Sequence, residues 1–149
     1  MIESPEPDLE HFRKLERMYA AAPINHWYAP SLSVSSGRAE VRIPLRPEFH
    51  HSAGSTHGSV YFKALDDATF FAANSLVTDV FVLTASFELD LLRPVVAGVI
   101  RAVAQVTERG DRRIVAEGEL FDGDGALVAR GRGRFARSRT PLSPDVHYR

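Results

Sequence analysis

The sequence predicts an α+β fold in which one long central helix is wrapped by a curved antiparallel sheet, with an amphipathic helix ahead of both. Three observations predict it. A stretch of helical length at 58–76 is apolar on nearly every side, four long strand-like runs follow Thr78, and small residues recur on one face of the last two runs. At 149 residues the chain fits a single domain, 1–149, with enough length to bury a core without cross-links.

The first element is a helix over about 8–21. Leu9, Phe12, Leu15, Met18 and Tyr19 recur at spacings of three and four, with Asp8 placed as the cap and Pro23 as the stop. Two alternating runs follow, Ser31 to Ser35 and Arg38 to Leu45, joined by Ser36-Gly37. In the second, Ala39, Val41, Ile43 and Leu45 point one way and Arg38, Glu40 and Arg42 the other, so the pair reads as a hairpin buried on one face. Pro44 and Pro47 break the alternation, and the polar segment 46–56 reads as a loop at the surface or lining a site.

From Gly58 to about Leu76 there is no internal Gly or Pro, and Val60, Tyr61, Phe62, Ala64, Leu65, Ala68, Phe70, Phe71, Ala72 and Ala73 leave little polar surface. A helix this apolar, yet too short and charged for a bilayer, must be wrapped by the rest of the chain. The strands are then Phe81 to Leu91, Gly98 to Thr107, Arg112 to Phe121 and Ala126 to Arg137. Arg109-Gly110-Asp111 and Asp122-Gly123-Asp124-Gly125 are tight-turn signals, so the strands are expected as neighbours in an antiparallel meander. Ile114, Ala116, Gly118 and Leu120, and Leu127, Ala129, Gly131 and Gly133, offer a low floor on which a helix can lie close. Helix, hairpin, buried helix and four strands in this order describe the hot-dog arrangement. The tail from Ser138 to Arg149, with Pro141 and Pro144, is expected to be loosely ordered.

Composition narrows the chemistry. Hydrophobic residues at 44% and charged residues at 25% describe an ordinary globular chain, and a formal charge of −1 predicts no general attraction to nucleic acid or anionic membrane. The absence of cysteine excludes disulfides, thiolate nucleophiles and thiolate metal sites. The acidic, proline-rich start, Met1 to Leu9, lacks the basic and apolar regions of a secretory signal, and no run reaches membrane-spanning length, which points to a cytoplasmic protein. His50, His51 and His57 lack a spaced carboxylate partner, so no metal is expected, and no Gly-x-Ser-x-Gly nucleophile motif is present. Arg130, Arg132 and Arg134 face Glu117 and Glu119 of the preceding strand and read first as cross-strand ion pairs, with contact to a phosphate as the lesser reading. Trp27, Tyr28, Phe70 and Phe71 divide between core packing and a ligand pocket.

Two positions carry candidate chemistry. The first N–H groups of a helix form a preorganised donor site for a developing oxyanion, and Gly58 is where a carbonyl could reach them without meeting a β-carbon. A glycine that merely eases the turn into the helix fits the same text. Further along, Asp66 and Asp67 stand in an apolar helix, where an unpaired carboxylate costs about 3 kcal/mol or more. Asp67 has Lys63 one turn before it. Asp66 is flanked at i±4 by Phe62 and Phe70 and is the better candidate for a functional carboxylate that orients or deprotonates water, the alternative being a solvent-facing stripe holding both acids.

His57-Gly58-Ser59, then Asp66 and Ala68 eight and ten positions beyond the glycine, resembles the His-Gly-Gly to Asp signature of the PaaI-like, phenylacetyl-CoA-type thioesterases. Leu83-Thr84-Ala85-Ser86-Phe87, Leu92-Arg93-Pro94 and the segment from Asp122 to Gly131 are similar to the corresponding family segments, so the likeness runs from about Val41 to Arg137. The resemblance implies an acyl-CoA thioesterase without cofactor, working as a homodimer or dimer of dimers, with each site shared between subunits. It implies Asp66 as the carboxylate acting on water, Gly58 as the N–H donor to the thioester carbonyl, His57 as the residue ordering the loop, and Thr84 as a helper in placing the water. Ser59 replaces the second glycine, and His51 stands where the family carries Asn, six residues before the motif histidine. A module that binds acyl thioesters without turning them over is the alternative, and a hydratase would need a histidine with an acid across the cleft.

Overall fold

The computed structural model describes residues 8–149; the acidic, proline-rich start and the domain's first seven positions lie outside the described residues. Helix α1 (Leu9–Ala21) buries Phe12, Leu15, Met18 and Tyr19, as its periodicity predicts. The Asp8 carboxylate makes no cap hydrogen bond, however; its carbonyl accepts from the Phe12 N–H at 2.9 Å instead. A single-turn helix α2 (Asn25–Tyr28) and a 3-10 turn at Pro47–Phe49 add two elements too short for a periodic signal.

Strands β1 (Ser31–Ser35) and β2 (Arg38–Pro44) form the expected hairpin, with Ala39, Val41 and Ile43 buried. They are followed by α3 (Gly58–Asn74), β3 (Val80–Leu91), β4 (Val99–Arg109), β5 (Arg113–Phe121) and β6 (Leu127–Pro141). All pairings are antiparallel, and the six-stranded sheet has the order β1-β2-β4-β5-β6-β3. The expected four-strand meander is therefore correct for β4, β5 and β6 only. β3 lies beyond β6, because the Leu92 to Gly98 link has no hairpin turn and carries the chain across the sheet to pair β4 with β2.

The long helix rests on the small-residue floor. Gly118 pairs with Gly131 and Ala116 with Gly133 across β5 and β6, all on the buried face. A β-carbon at Gly118 would stand 3.1 Å from Cδ2 of Leu65, and one at Gly133 would stand 2.7 Å from the Phe135 ring and 3.0 Å from that of Phe87. Glycine here sets how closely α3 and the aromatic side chains approach the sheet. At the far end of α3 the buried Asn74 donates to the carbonyls of Val77 (3.0 Å) and Val80 (3.1 Å) and accepts from the Val82 N–H (3.0 Å). That bracket fixes where β3 begins relative to the helix.

Two expectations need correction. The helix is not apolar all round: Ser59, Phe62, Lys63, Asp66, Asp67 and Phe70 form a partly exposed stripe beside β3. Nor is the tail loose. β6 continues to Pro141, and the Tyr148 hydroxyl donates to Nδ1 of the buried His11 at 2.6 Å while Nε2 of that histidine lies 2.9 Å from the Asn74 carbonyl. On the outer sheet face Glu117 pairs in register with Arg132 and Glu119 with Arg130, and Arg132 reaches carboxylates of Glu88, Glu108 and Glu117, which favours the ion-pair reading for Arg132. Among the described residues no helix is long and apolar enough to cross a membrane.

Gly133→Val should lower stability by about 1–3 kcal/mol through overpacking against Phe135, read as a fall in Tm; an unchanged melting curve would show that the ring has room to move.

Candidate active site

The start of α3 is built by His57. Its backbone is extended and its Nδ1 accepts from the Ser59 N–H at 3.0 Å, so the imidazole acts as the N-cap in place of the usual hydroxyl or carboxylate. Nδ1 also lies 2.9 Å from Ser59 Oγ, and accepting there puts the ring proton on Nε2. With Ser59 capped and the Val60 N–H bonded to the His57 carbonyl, the Gly58 N–H has no acceptor among the described residues. It is the open donor at the positive end of the helix. A β-carbon at Gly58 would stand 3.2 Å from Cδ1 of Leu91, a residue 54% exposed, so any larger residue here would crowd that side chain.

Strand β3 runs back along the exposed stripe. Leu91 lies by Gly58, Phe87 packs edge-on against Phe62 with centroids 5.2 Å apart, and Thr84 Oγ1 donates to Asp66 Oδ1 at 2.9 Å. Thr84 and Phe87 are three apart and would face opposite sides of a regular strand. The register shift between Thr84 and Ser86 inserts Ala85 as a bulge and returns both side chains to the helix side.

The two neighbouring acids have different surroundings. Asp67 is held by Lys63 Nζ at 2.6 Å, as the i,i+4 spacing predicts, and by the Tyr19 hydroxyl at 2.5 Å. Lys63 lies over the rings of Tyr19 and Tyr28, each 5.2 Å from the centroid. Burial raises the Asp67 carboxyl above its ordinary value, while Lys63 and Tyr19 pull it back. Burial and then the charge of Asp67 push the Tyr19 phenol far up, so it remains a donor. Among the described residues no cation lies within bonding distance of Asp66. Burial pushes its carboxyl up to about 6; the Thr84 hydrogen bond opposes this, the Asp67 charge adds to it, and Lys63 opposes it more weakly.

The structure thus joins Asp66 to Thr84 and His57 to Gly58, but it does not join these pairs to each other within one chain. His51 stands apart in the exposed loop, where its Nδ1 accepts from the Ala53 N–H at 3.1 Å, and no hydrogen bond among the described residues ties it to the other four. Trp27 and Tyr28 line a cavity of about 260 Å³ beside the helix start, with Phe49, His50 and His57 among its walls. Phe71 is core, and Phe70 packs on Phe71, Phe81 and Phe135. Among the described residues no three His, Asp or Glu side chains stand together as metal ligands. Sequence reasoning missed Tyr19 as a polar partner, reading it only as an apolar position of α1. A buried tyrosine needs an acceptor for its hydroxyl, and that requirement was the available signal.

Comparison with known proteins bears on the family and the fold. Residues 53–129, just over half of the chain, match the family described as the thioesterase superfamily. A protein of Saccharolobus solfataricus named as an esterase is 27% identical over 142 residues, covering 95% of this chain and 98% of its own. The PaaI protein of the E. coli phenylacetic acid degradation operon superposes with a TM-score of 0.82 at 24% identity, over 90% of this chain and 97% of that one. A protein of Pseudomonas aeruginosa superposes with a TM-score of 0.75 at 29% identity, over 82% and 98%. Half-chain coverage by the family model and the shared six-stranded architecture lead to one conclusion: this chain belongs to the thioesterase superfamily and has the hot-dog fold.

Proposed function

We propose that the protein hydrolyses acyl-CoA thioesters, with Asp66 directing a water onto a carbonyl held at the Gly58 N–H of a second copy of the chain. The observation that carries the reading is the state of Asp66, a half-buried carboxylate with a raised pKa, oriented by Thr84 and not neutralised by a cation. Near neutral pH it is ionised yet basic enough to accept a proton from water.

Distance supports the second copy. Gly58 and Asp66 are eight residues apart on one helix, about 12 Å along the axis, whereas the attacking water and the oxyanion donor must lie within about 3–3.5 Å of the same carbonyl group. One chain cannot offer both to one thioester. β3 is a twelve-residue strand at the sheet edge, with Leu83 and Leu91 more than half exposed, and such an edge invites pairing with its own copy. Pairing there sets the Asp66 stripe of one chain against the helix start of the other.

In this mechanism Asp66 takes a proton as the water oxygen bonds to the thioester carbon. The carbonyl oxygen becomes an oxyanion that accepts from the Gly58 N–H. Its collapse breaks the C–S bond, and the proton held by Asp66 passes to the departing thiolate, which releases the acid and the CoA thiol and returns Asp66 to its ionised form. Thr84 fixes the carboxylate rotamer, His57 holds the helix start in its capped form, and His51 is assigned to the leaving-group side, where an imidazole can donate to sulfur or an ordered water.

Assay of aryl, short-chain and medium-chain acyl-CoAs should find turnover that Asp66→Asn lowers by about 10²-fold or more. Binding without thiol release from any of them would establish the non-catalytic module instead. In wild type, kcat/KM should fall as pH drops through about 6, where Asp66 takes up its proton. Mixing Asp66→Asn with Gly58→Val chains should restore about one quarter of the wild-type sites if each site is shared across a two-fold axis, and none if sites are built within one chain. Light scattering on the same samples reads a pair or a pair of pairs. Ionising Asp66 also destabilises the folded state, since its pKa there, about 6, lies above the ordinary 3.8; the loss sets in as pH rises between these values. Asp66→Asn should therefore raise Tm near neutral pH and change it little below about pH 4.

A further inference from the structure

The cluster of Tyr19, Lys63 and Asp67 behind the candidate carboxylate takes no part in the mechanism above, yet it places an ammonium within one helical turn of Asp66. Lys63 precedes Asp66 by three residues and Asp67 by four, so both carboxylates are within its reach. The contacts select one of them. Lys63 Nζ lies 2.6 Å from Asp67 Oδ2, the Tyr19 hydroxyl donates to that same oxygen, and the rings of Tyr19 and Tyr28 flank the lysine. The side chains of Lys63 and Asp67 are only 11% and 15% exposed, which is an unusual depth for a helix ion pair with no further purpose.

We propose that Asp67 is a positioning residue for Asp66: by holding the Lys63 ammonium it keeps that cation from pairing with Asp66, and leaves the Asp66 carboxylate to Thr84 and to the substrate water. This rests on the reading of Asp66 as the catalytic carboxylate. The titratable groups acting on Asp66 are Lys63 and Asp67 of its own helix, while Tyr19 of α1 acts on Asp67 and feels the charge of Asp66. β3 presents only the neutral hydroxyl of Thr84, and β6 presents the Phe135 ring opposite it. With Lys63 and Asp67 paired and Tyr19 protonated, the cluster is neutral as a whole, and the carboxyl of Asp66 stays raised by its burial. A released lysine would turn to Asp66 as its i+3 partner and weaken it as a base. The arrangement also gives α1 a role in the site, because Tyr19 is what fixes the carboxylate that holds the lysine.

The test is the titration of Asp66 followed by ¹³C NMR of its carboxyl, assigned by its loss in Asp66→Asn, together with the pH profile of kcat/KM. In Asp67→Asn both midpoints should fall by about one pH unit or more, with kcat lowered more than KM is changed, because an opposite charge nearby favours the ionised form. Adding Lys63→Met to Asp67→Asn should bring both midpoints back to within about half a pH unit of wild type, since the double variant has neither charge. A midpoint unmoved in Asp67→Asn overturns the proposal, and so does a shift that persists in the double variant, which would make the role of the cluster one of packing. Should Asp66→Asn keep its turnover, the catalytic reading fails, while the NMR titration still decides whether Asp67 withholds Lys63.

Discussion

The close seat of α3 on the sheet is the constraint from which the site follows. Leu65 lies close over Gly118, and the rings of Phe87 and Phe135 fill the space over Gly131 and Gly133. With the helix this deep, any polar group on it must find a partner within the protein or sit on the stripe that β3 leaves open. Asn74 illustrates the first solution, with three hydrogen bonds that also set the start of β3. Asp66 illustrates the second.

Position along that stripe is then a matter of register. Asn74 anchors one end of β3, and from there the strand lays Thr84, Phe87 and Leu91 against Asp66, Phe62 and Gly58 in turn. The Ala85 bulge makes the match possible, since a three-residue step on a regular strand changes face. A helix rises 1.5 Å per residue and a strand more than twice that, so four residues of α3 span about the length of two residues of β3, and the bulge lets Thr84 and Phe87, three apart in sequence, meet the i,i+4 pair Asp66 and Phe62 from one face.

Electrostatics divides the two acids. Both are pushed up by burial, but Asp67 is compensated by a cation and a phenol while Asp66 has a single hydroxyl. An uncompensated carboxylate on a structural helix works against stability, which is why Asp66 stands apart from Asp67 as a candidate for chemistry.

Much of this was legible in the residues. The 3.6-residue period of α1, the alternation in β2, the turn signals around β5, the Lys63 to Asp67 spacing and the small-residue floor are local patterns, and local patterns translate directly into helices, strands and the faces they bury. The lack of a good partner at i±4 marked Asp66 as the candidate carboxylate, and the resemblance of His57-Gly58-Ser59 and Asp66 to the family signature implied the rest of the candidate site. Other features depend on contacts between distant segments and left no periodic trace: β3 at the edge beside β6, the bulge that turns Thr84 inward, the Tyr19 hydroxyl on Asp67, and the tail tyrosine on His11. By itself the sequence determined which elements form and which carboxylate stands unpaired within its helix. The tertiary structure alone decided what that carboxylate meets, because strand order and register follow from how the whole core packs, and no short window of residues contains that information.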